Sequence, residues 1–296
     1  TRGSDPLAGF GLRMDSEVDL KKVKGYLDVE NPSTLQSNIR VRSGWTVSLI
    51  LSSMIAAMGS FNFGYNISVI NSTKPLFVQC PPDASSWECF PVKSEAWGLV
   101  VSMMSIGAII GSLFSGSFAN RFGRRLCMTV SSFPYIAGAA LMAFAFNYWM
   151  MIIGRFLVGI GVGVSCIVIP MFLSEISSSD SRGQITSAHQ FSICTGLVVV
   201  ELIALVGLAQ PVLWRYMFGL TALPAIVQLI GVLMYAKESP KYLAQQGDAI
   251  GTQASLQFYR RDCYDEVELE AMLSDSEKQS DQSIESWGFM RLLQNW

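Results

Sequence analysis

Gly116-Ser117-Phe118-Ala119-Asn120-Arg121-Phe122-Gly123-Arg124-Arg125 separates two long runs, 96–119 and 126–146, that hold no charged residue. Arg121, Arg124 and Arg125 fall within five positions, and each such charge costs about 3 kcal/mol or more at the centre of a bilayer. Both runs must therefore stop here, on one side of a membrane. Short loops rich in Lys and Arg stay on the cytoplasmic side. Gly116 and Gly123 give the chain a tight turn and close backbone approach. This basic hairpin orients everything else.

Composition agrees. Of 296 residues only 15% are charged, against roughly 25% in soluble domains. The net charge of −2 leaves no basic excess for nucleic acid. The one histidine, His189, argues against a His-rich metal site or a His-based triad. With no phosphate loop either, the pattern is not that of an enzyme, and it implies neither a metal nor another cofactor. The six cysteines are dispersed without a CxxC pair.

A helix needs about 20 apolar residues to cross a hydrocarbon core of about 30 Å. The spans predicted are 45–70, 96–118, 126–146, 149–173, 185–208 and 214–236. Lipid offers the backbone no partners, so these are helices. The expected organisation is a cytoplasmic tail over 1–42, a six-span unit over 43–236 and a cytoplasmic helical linker over 237–296. No signal peptide is read at the start, and 1–13, ahead of Met14, is given no fold. Lys and Arg flank span one, the span two–three hairpin and the end of span six, whereas 147–148 and 209–213 carry none. Both termini are then cytoplasmic. Arg215, at the mouth of span six, is a single exception.

The loop 71–95 is then extracellular. Cys80 and Cys89 within it are either disulfide-bonded or two free thiols. The sequon at Asn71 lies too near the membrane for a glycan, and that at Asn66 is inside a span. Small residues recur every fourth position at Gly107, Gly111 and Ser115, and at Gly159 and Gly163, which reads as helix packing.

Two stripes could carry chemistry. Gln190, Ile193, Leu197 and Glu201 share one helical face of span five. Phe63, Ile67, Ile70 and Asn71 share a face of span one, where a ring, a small residue and an amide (Phe63-Gly64-Tyr65-Asn66) suit a hydroxylated, uncharged ligand. The alternative for each is a helix–helix hydrogen bond within the bundle. Ionisable groups gather at span ends assigned to the cytoplasm: Arg121, Arg124, Arg125, Arg155, Glu175, Arg182, Glu238 and Lys241. They are either snorkelling side chains or an ion-pair lattice, with Arg121 and Arg125 set against Glu175, and Arg155 against Glu238.

Six ordered motifs resemble those of the sugar porters of the major facilitator superfamily, most closely the facilitative hexose transporters. They are Phe63-Gly64-Tyr65-Asn66 with Val69-Ile70-Asn71; Asn120-Arg121-Phe122-Gly123-Arg124-Arg125; Gly154-Arg155-Phe156; Pro170 to Ile176 with Arg182-Gly183; His189-Gln190; and Glu238-Ser239-Pro240-Lys241-Tyr242-Leu243, with Lys where Arg is common. The resemblance implies an all-α membrane fold of two six-helix halves, each made of two inverted three-helix repeats, with substrate near the midplane. It implies that this chain is a truncated N-terminal half, expected in the plasma membrane, and that the C-terminal half with most sugar contacts is absent from it.

The contacts carried over are Gln190 for sugar hydroxyls, Ile193 and Leu197 as walls, and Phe63, Cys166 and Asn71 lining the cavity. Ile67 and Ser68 depart from the family pattern, as does Glu201, which stands where an uncharged amide is common. The implied activity is facilitative hexose uniport by alternating access. The alternatives are a proton–sugar symporter, which Asn66 disfavours because related symporters carry Asp there, and a half-length sugar sensor or regulatory partner.

Overall fold

The computed structural model describes residues 45–78, 92, 94–178, 180–207, 213–261 and 269–274. The helices are α1 (Val47–Val78), α2 (Ser94–Phe122), α3 (Arg124–Ala143), α4 (Tyr148–Ile176), α5 (Arg182–Gly207), α6 (Leu213–Leu220), α7 (Ala222–Met234), α8 (Pro240–Gln245) and α9 (Ala249–Arg260). No strand occurs among the described residues. Six segments are long and apolar enough to cross a membrane, α6 and α7 counting together as the sixth. The tail 1–42 and the Cys80/Cys89 pair lie outside the described residues.

Two expectations on boundaries need correction. Span one does not end at Ile70: α1 runs 32 residues to Val78, about 48 Å at 1.5 Å per residue. Asn71 is thus an exposed residue inside a helix, and 71–78 and 94–95, expected in the loop, belong to α1 and α2. Span six is not one straight helix. It breaks at Thr221, because Pro224 lacks the N–H that would continue the ladder to Leu220. Side chains of α1 bond to carbonyls beside the break: Tyr65 Oη donates to Met217 O at 2.8 Å, and Asn62 Nδ2 to Thr221 O at 3.1 Å. Bonds of this kind make a broken helix tolerable in lipid.

The packing repeats itself. α2 lies along α4 and α1 along α5; α3 packs on α4 and α7 on α1; α1 meets α4, and α3 meets α7. Exchanging α1 with α4, α2 with α5 and α3 with α6–α7 swaps the first two contacts with each other and the next two likewise, and maps α1–α4 and α3–α7 onto themselves. Each repeat holds an odd number of spans, so the second is inverted relative to the first. The bundle is the predicted all-α six-span unit.

The long seams are set by glycine. A Cβ on Gly107 would strike Phe156 O, one on Gly159 would strike Met104 O, and one on Gly163 would strike Ala108 O. The mirrored α1–α5 seam does the same with Gly64 against Ile193 O and Gly196 against Phe61 O. Helices in lipid associate through such close packing. One apolar cluster sits at each end of the bundle. Leu49, Met128, Phe172 and Leu173 belong to one; Tyr65, Phe77, Trp97, Trp214 and Phe218 belong to the other. In the second, the Phe77 ring stacks on Trp97 at 5.0 Å and meets the edge of Trp214 at 4.8 Å.

Gly159→Leu is expected to destabilise the purified protein by at least about 1–3 kcal/mol through overpacking, read as a lowered thermal midpoint and loss of a monodisperse peak in detergent. Gly116→Leu, where a Cβ meets nothing within 4 Å, should behave as wild type. Equal behaviour of the two variants would remove the seam from the account.

Candidate functional site

The end of the bundle where α2 gives way to α3 carries a built ionic cluster. Gly123 adopts φ 94°, a conformation that favours glycine, and a side chain there would also run into the Glu238 carboxylate. The helix turns immediately, and Glu238 caps the start of α3. Its Oε1 accepts the Arg124 and Arg125 backbone N–H groups at 2.9 and 3.2 Å. A carboxylate at a helix N-terminus is favoured by the unpaired N–H groups and by the helix dipole. Arg124, 2% exposed, bonds Glu175 Oε1 at 2.8 Å. Ser239 Oγ donates to the other oxygen, Oε2, at 2.6 Å.

Other groups close around this core. Arg125 reaches Val232 O and Leu233 O at the end of α7, at 3.2 and 2.7 Å. Tyr242 lies under the Arg124 guanidinium at 5.2 Å and donates to Arg121 O at 3.1 Å. Burial, with the Glu238 carboxylate adding to it, holds the Tyr242 phenol above its ordinary range. α9 docks on the same end: Arg260 Nη2 donates to Ser177 O at 2.9 Å, Tyr259 Oη to Lys237 O at 2.7 Å, and Thr46 Oγ1 to Tyr259 O. One cluster thus ties α2, α3, α4, α7, α8 and α9 together.

The predicted pairings are corrected here. Glu175 pairs with Arg124, not with Arg121 or Arg125, whose side chains go elsewhere. Arg121 lies over the Phe122 ring at 5.5 Å. Arg155 does not meet Glu238. It lies in α4 seven residues after Tyr148 and twenty before Glu175, and so about 30 Å from it along the helix, toward the opposite end. A charge that interrupts an apolar run does not reveal its depth, and the loop assignments already placed the start of α4 far from the basic hairpin. Arg155 is 1% exposed. It donates to Asn66 O at 2.8 Å and sits over the Phe218 ring at 5.1 Å. Arg182 and Lys241 are exposed at the ionic end, outside the hydrogen-bonded cluster.

The two stripes adjoin along the α1–α5 seam. Contacts climb it in register: Ser60 Oγ with His189 Nδ1 at 2.7 Å, Gly64 on Ile193, then Ser68 Oγ donating to Glu201. Ile193 is buried, Leu197, Phe63 and Cys166 are half-buried, and Gln190, Asn71 and Glu201 are exposed. Gln190 makes only a weak contact, 3.9 Å to Cys194 Sγ, among the described residues. Its amide thus has donors and an acceptor left for a ligand. A groove of about 760 Å3 between α3 and α6–α7 holds none of these residues; Ile136, Ala140, Arg215, Leu220, Leu223 and Ile226 are among those that line it.

Sequence reasoning missed three contributors. Ser239 had a readable signal: a serine before Pro240 is a helix N-cap followed by proline at the first turn, and its Oγ does accept from Tyr242 N. Asn62 and the Tyr259–Arg260 pair had none, because their partners are backbone carbonyls distant in the chain.

Known proteins match in sequence and in fold. The family described as Sugar (and other) transporter matches residues 52–295. The human solute carrier family 2, facilitated glucose transporter member 5, is 34% identical over 260 residues, covering 84% of this chain and 50% of that protein. Plastidic glucose transporter 4 of Arabidopsis thaliana is 34% identical over 193 residues, covering 65% and 34%. The proton:xylose symporter XylE, bound to 6-bromo-6-deoxy-D-glucose, superposes with a TM-score of 0.67 at 24% identity, covering 78% of this chain and 53% of that one. The chain spans half or less of the length of these curated relatives. With its six spans, inverted repeats and a family match over most of its length, it belongs to the sugar porters of the major facilitator superfamily.

Proposed function

We propose that this chain forms one half of a facilitative hexose carrier and works by alternating access. The observation that carries this reading is the exposed amide of Gln190 on a stripe shared by α5 and α1, opposite no partner of its own. Its amide suits sugar hydroxyls, while Ile193, Leu197 and Phe63 supply apolar walls for C–H faces, with Cys166 and Asn71 at the margins. The relatives whose names specify glucose support a hexose as the solute. A second six-helix half closes the site from the other side.

In this reading the ionic end faces the cytoplasm, as its arginines favour. The Arg124–Glu175–Ser239 set and the Glu238 cap hold the ends of α2, α3, α4 and α7 together, and so hold the carrier closed on that side. Arg121, Arg182 and Lys241 attract the headgroup region without joining the lock. Opening inward needs these bonds to break, and the reverse motion remakes them.

Uniport is favoured over symport by Asn66. Arg155 already presents a buried cation to that residue's backbone, and an amide there cannot take up a proton. The runner-up, a proton–sugar symporter, would need another carboxyl, for which Glu201 is the candidate on the stripe.

Three outcomes are expected. Proteoliposomes carrying this chain together with a second six-helix half take up labelled glucose saturably, and Gln190→Ala lowers kcat/KM about tenfold, the order of one to two lost hydrogen bonds; absence of saturable uptake rejects the proposal. An imposed inward pH gradient should not concentrate glucose above the outside level, whereas accumulation would establish symport. Glu175→Gln leaves Arg124 buried without its counter-charge, a loss of about 3–5 kcal/mol; the thermal midpoint and glucose influx should both fall, and unaltered influx would remove the lock from the mechanism.

A further inference from the structure

Glu201 lies eleven residues beyond Gln190 on the α5 stripe, about 16 Å further along the helix and away from the ionic end. Its side chain is exposed. Oε1 accepts from the Ser68 and Ser72 hydroxyls of α1, the latter at 3.1 Å. Oε2 accepts no hydrogen bond among the described residues, and Lys74 of α1, itself exposed, forms no ion pair with it. A carboxylate in a membrane span persists where it meets water or a solute's path.

The two serines converge on one oxygen. They fix the rotamer of the side chain and leave the other oxygen available to a donor arriving along the stripe. A neutral sugar hydroxyl gains an ordinary hydrogen bond there. An ammonium gains a charge-assisted bond, roughly twice as strong. Gln190, Ile193 and Leu197 are neutral, as are Phe63, Ile67 and Asn71 across the seam; Lys74, one turn beyond Asn71 on that α1 face, forms no ion pair with Glu201.

We infer that Glu201 gives the carrier a preference for hexoses bearing a protonated amine, the aminodeoxyhexoses, over neutral hexoses. The inference rests on the reading of the α5 stripe as the sugar route. It assigns Glu201 a role in selecting the solute, with Ser68 and Ser72 as the residues that position it.

The test compares influx of labelled glucose and labelled 2-amino-2-deoxyglucose into proteoliposomes that carry this chain with a second six-helix half and are held at pH 6 on both sides. The readout is the ratio of kcat/KM for the amino sugar to that for glucose, which a purely structural brace between α1 and α5 would not move. In the wild type the ratio should exceed one by about tenfold, the difference between a charged and a neutral hydrogen bond. Glu201→Gln, an isosteric change, should bring it to about one, and Glu201→Asp should restore most of it. A ratio that is the same in wild type and Glu201→Gln, with glucose uptake present, overturns this inference and leaves the hexose carrier standing. Glucose uptake that is absent in the wild type overturns both.

Discussion

Helices that meet inside a bilayer gain little from covering apolar surface, since the lipid tails around them are equally apolar. Contact must come from close packing and from polar groups that find each other. Here that constraint is met at two mirrored seams, α2 on α4 and α1 on α5, where glycines bring one helix against the carbonyls of the next. The seams fix the register of the paired helices. Register in turn decides which side chains of α1 and α5 share a face, and which ends of α2 and α4 meet. Both the polar stripe and the ionic cluster are consequences of that spacing.

Polar groups are then distributed by function of depth. In the middle of the bundle and toward the end away from the basic hairpin, side chains bond to backbone carbonyls: Tyr65 and Asn62 serve the α6–α7 break, and Arg155 serves Asn66. At the basic end, charge pairs with charge. Glu238 ties together two consecutive N–H groups at the start of α3, and Glu175 takes a guanidinium on one oxygen and a hydroxyl on the other. These bonds are directional and few. The glycine seams are different in kind: a Cβ there would strike the facing carbonyl, so the helix spacing is fixed sterically.

The fold was largely legible in the sequence, and the site only in part. Span number, the hairpin at 116–125 and the packing role of Gly107, Gly111, Gly159 and Gly163 follow from composition and spacing, because each is a local property or a sum over a window. Helix ends were less so: α1 continues past Ile70 through polar residues and Pro75, which hydropathy reads as a loop. The break at Thr221 had a visible cause in Pro224, but proline also sits inside α3 and α4 without ending them, so sequence alone does not say which proline breaks a span. Partners were the least legible. That Glu175 takes Arg124 among three neighbouring arginines depends on the rotation of α3 after the Gly123 turn. That Arg155 takes a carbonyl of α1 depends on how α4 crosses α1.

Arg155 and Glu201 pose the same physical question from opposite sides. Each is an ionisable group placed in a span, and each needs a reason to remain there. Arg155 is enclosed, with a carbonyl and an aromatic face as its partners, and Asn66 beside it offers no proton to exchange. It acts as a fixed positive charge within the bundle. Glu201 is exposed, with one oxygen satisfied and the other not, so its charge is directed outward along the stripe. The bundle thus encloses the cation, Arg155, and leaves the anion, Glu201, exposed beside the α1–α5 seam.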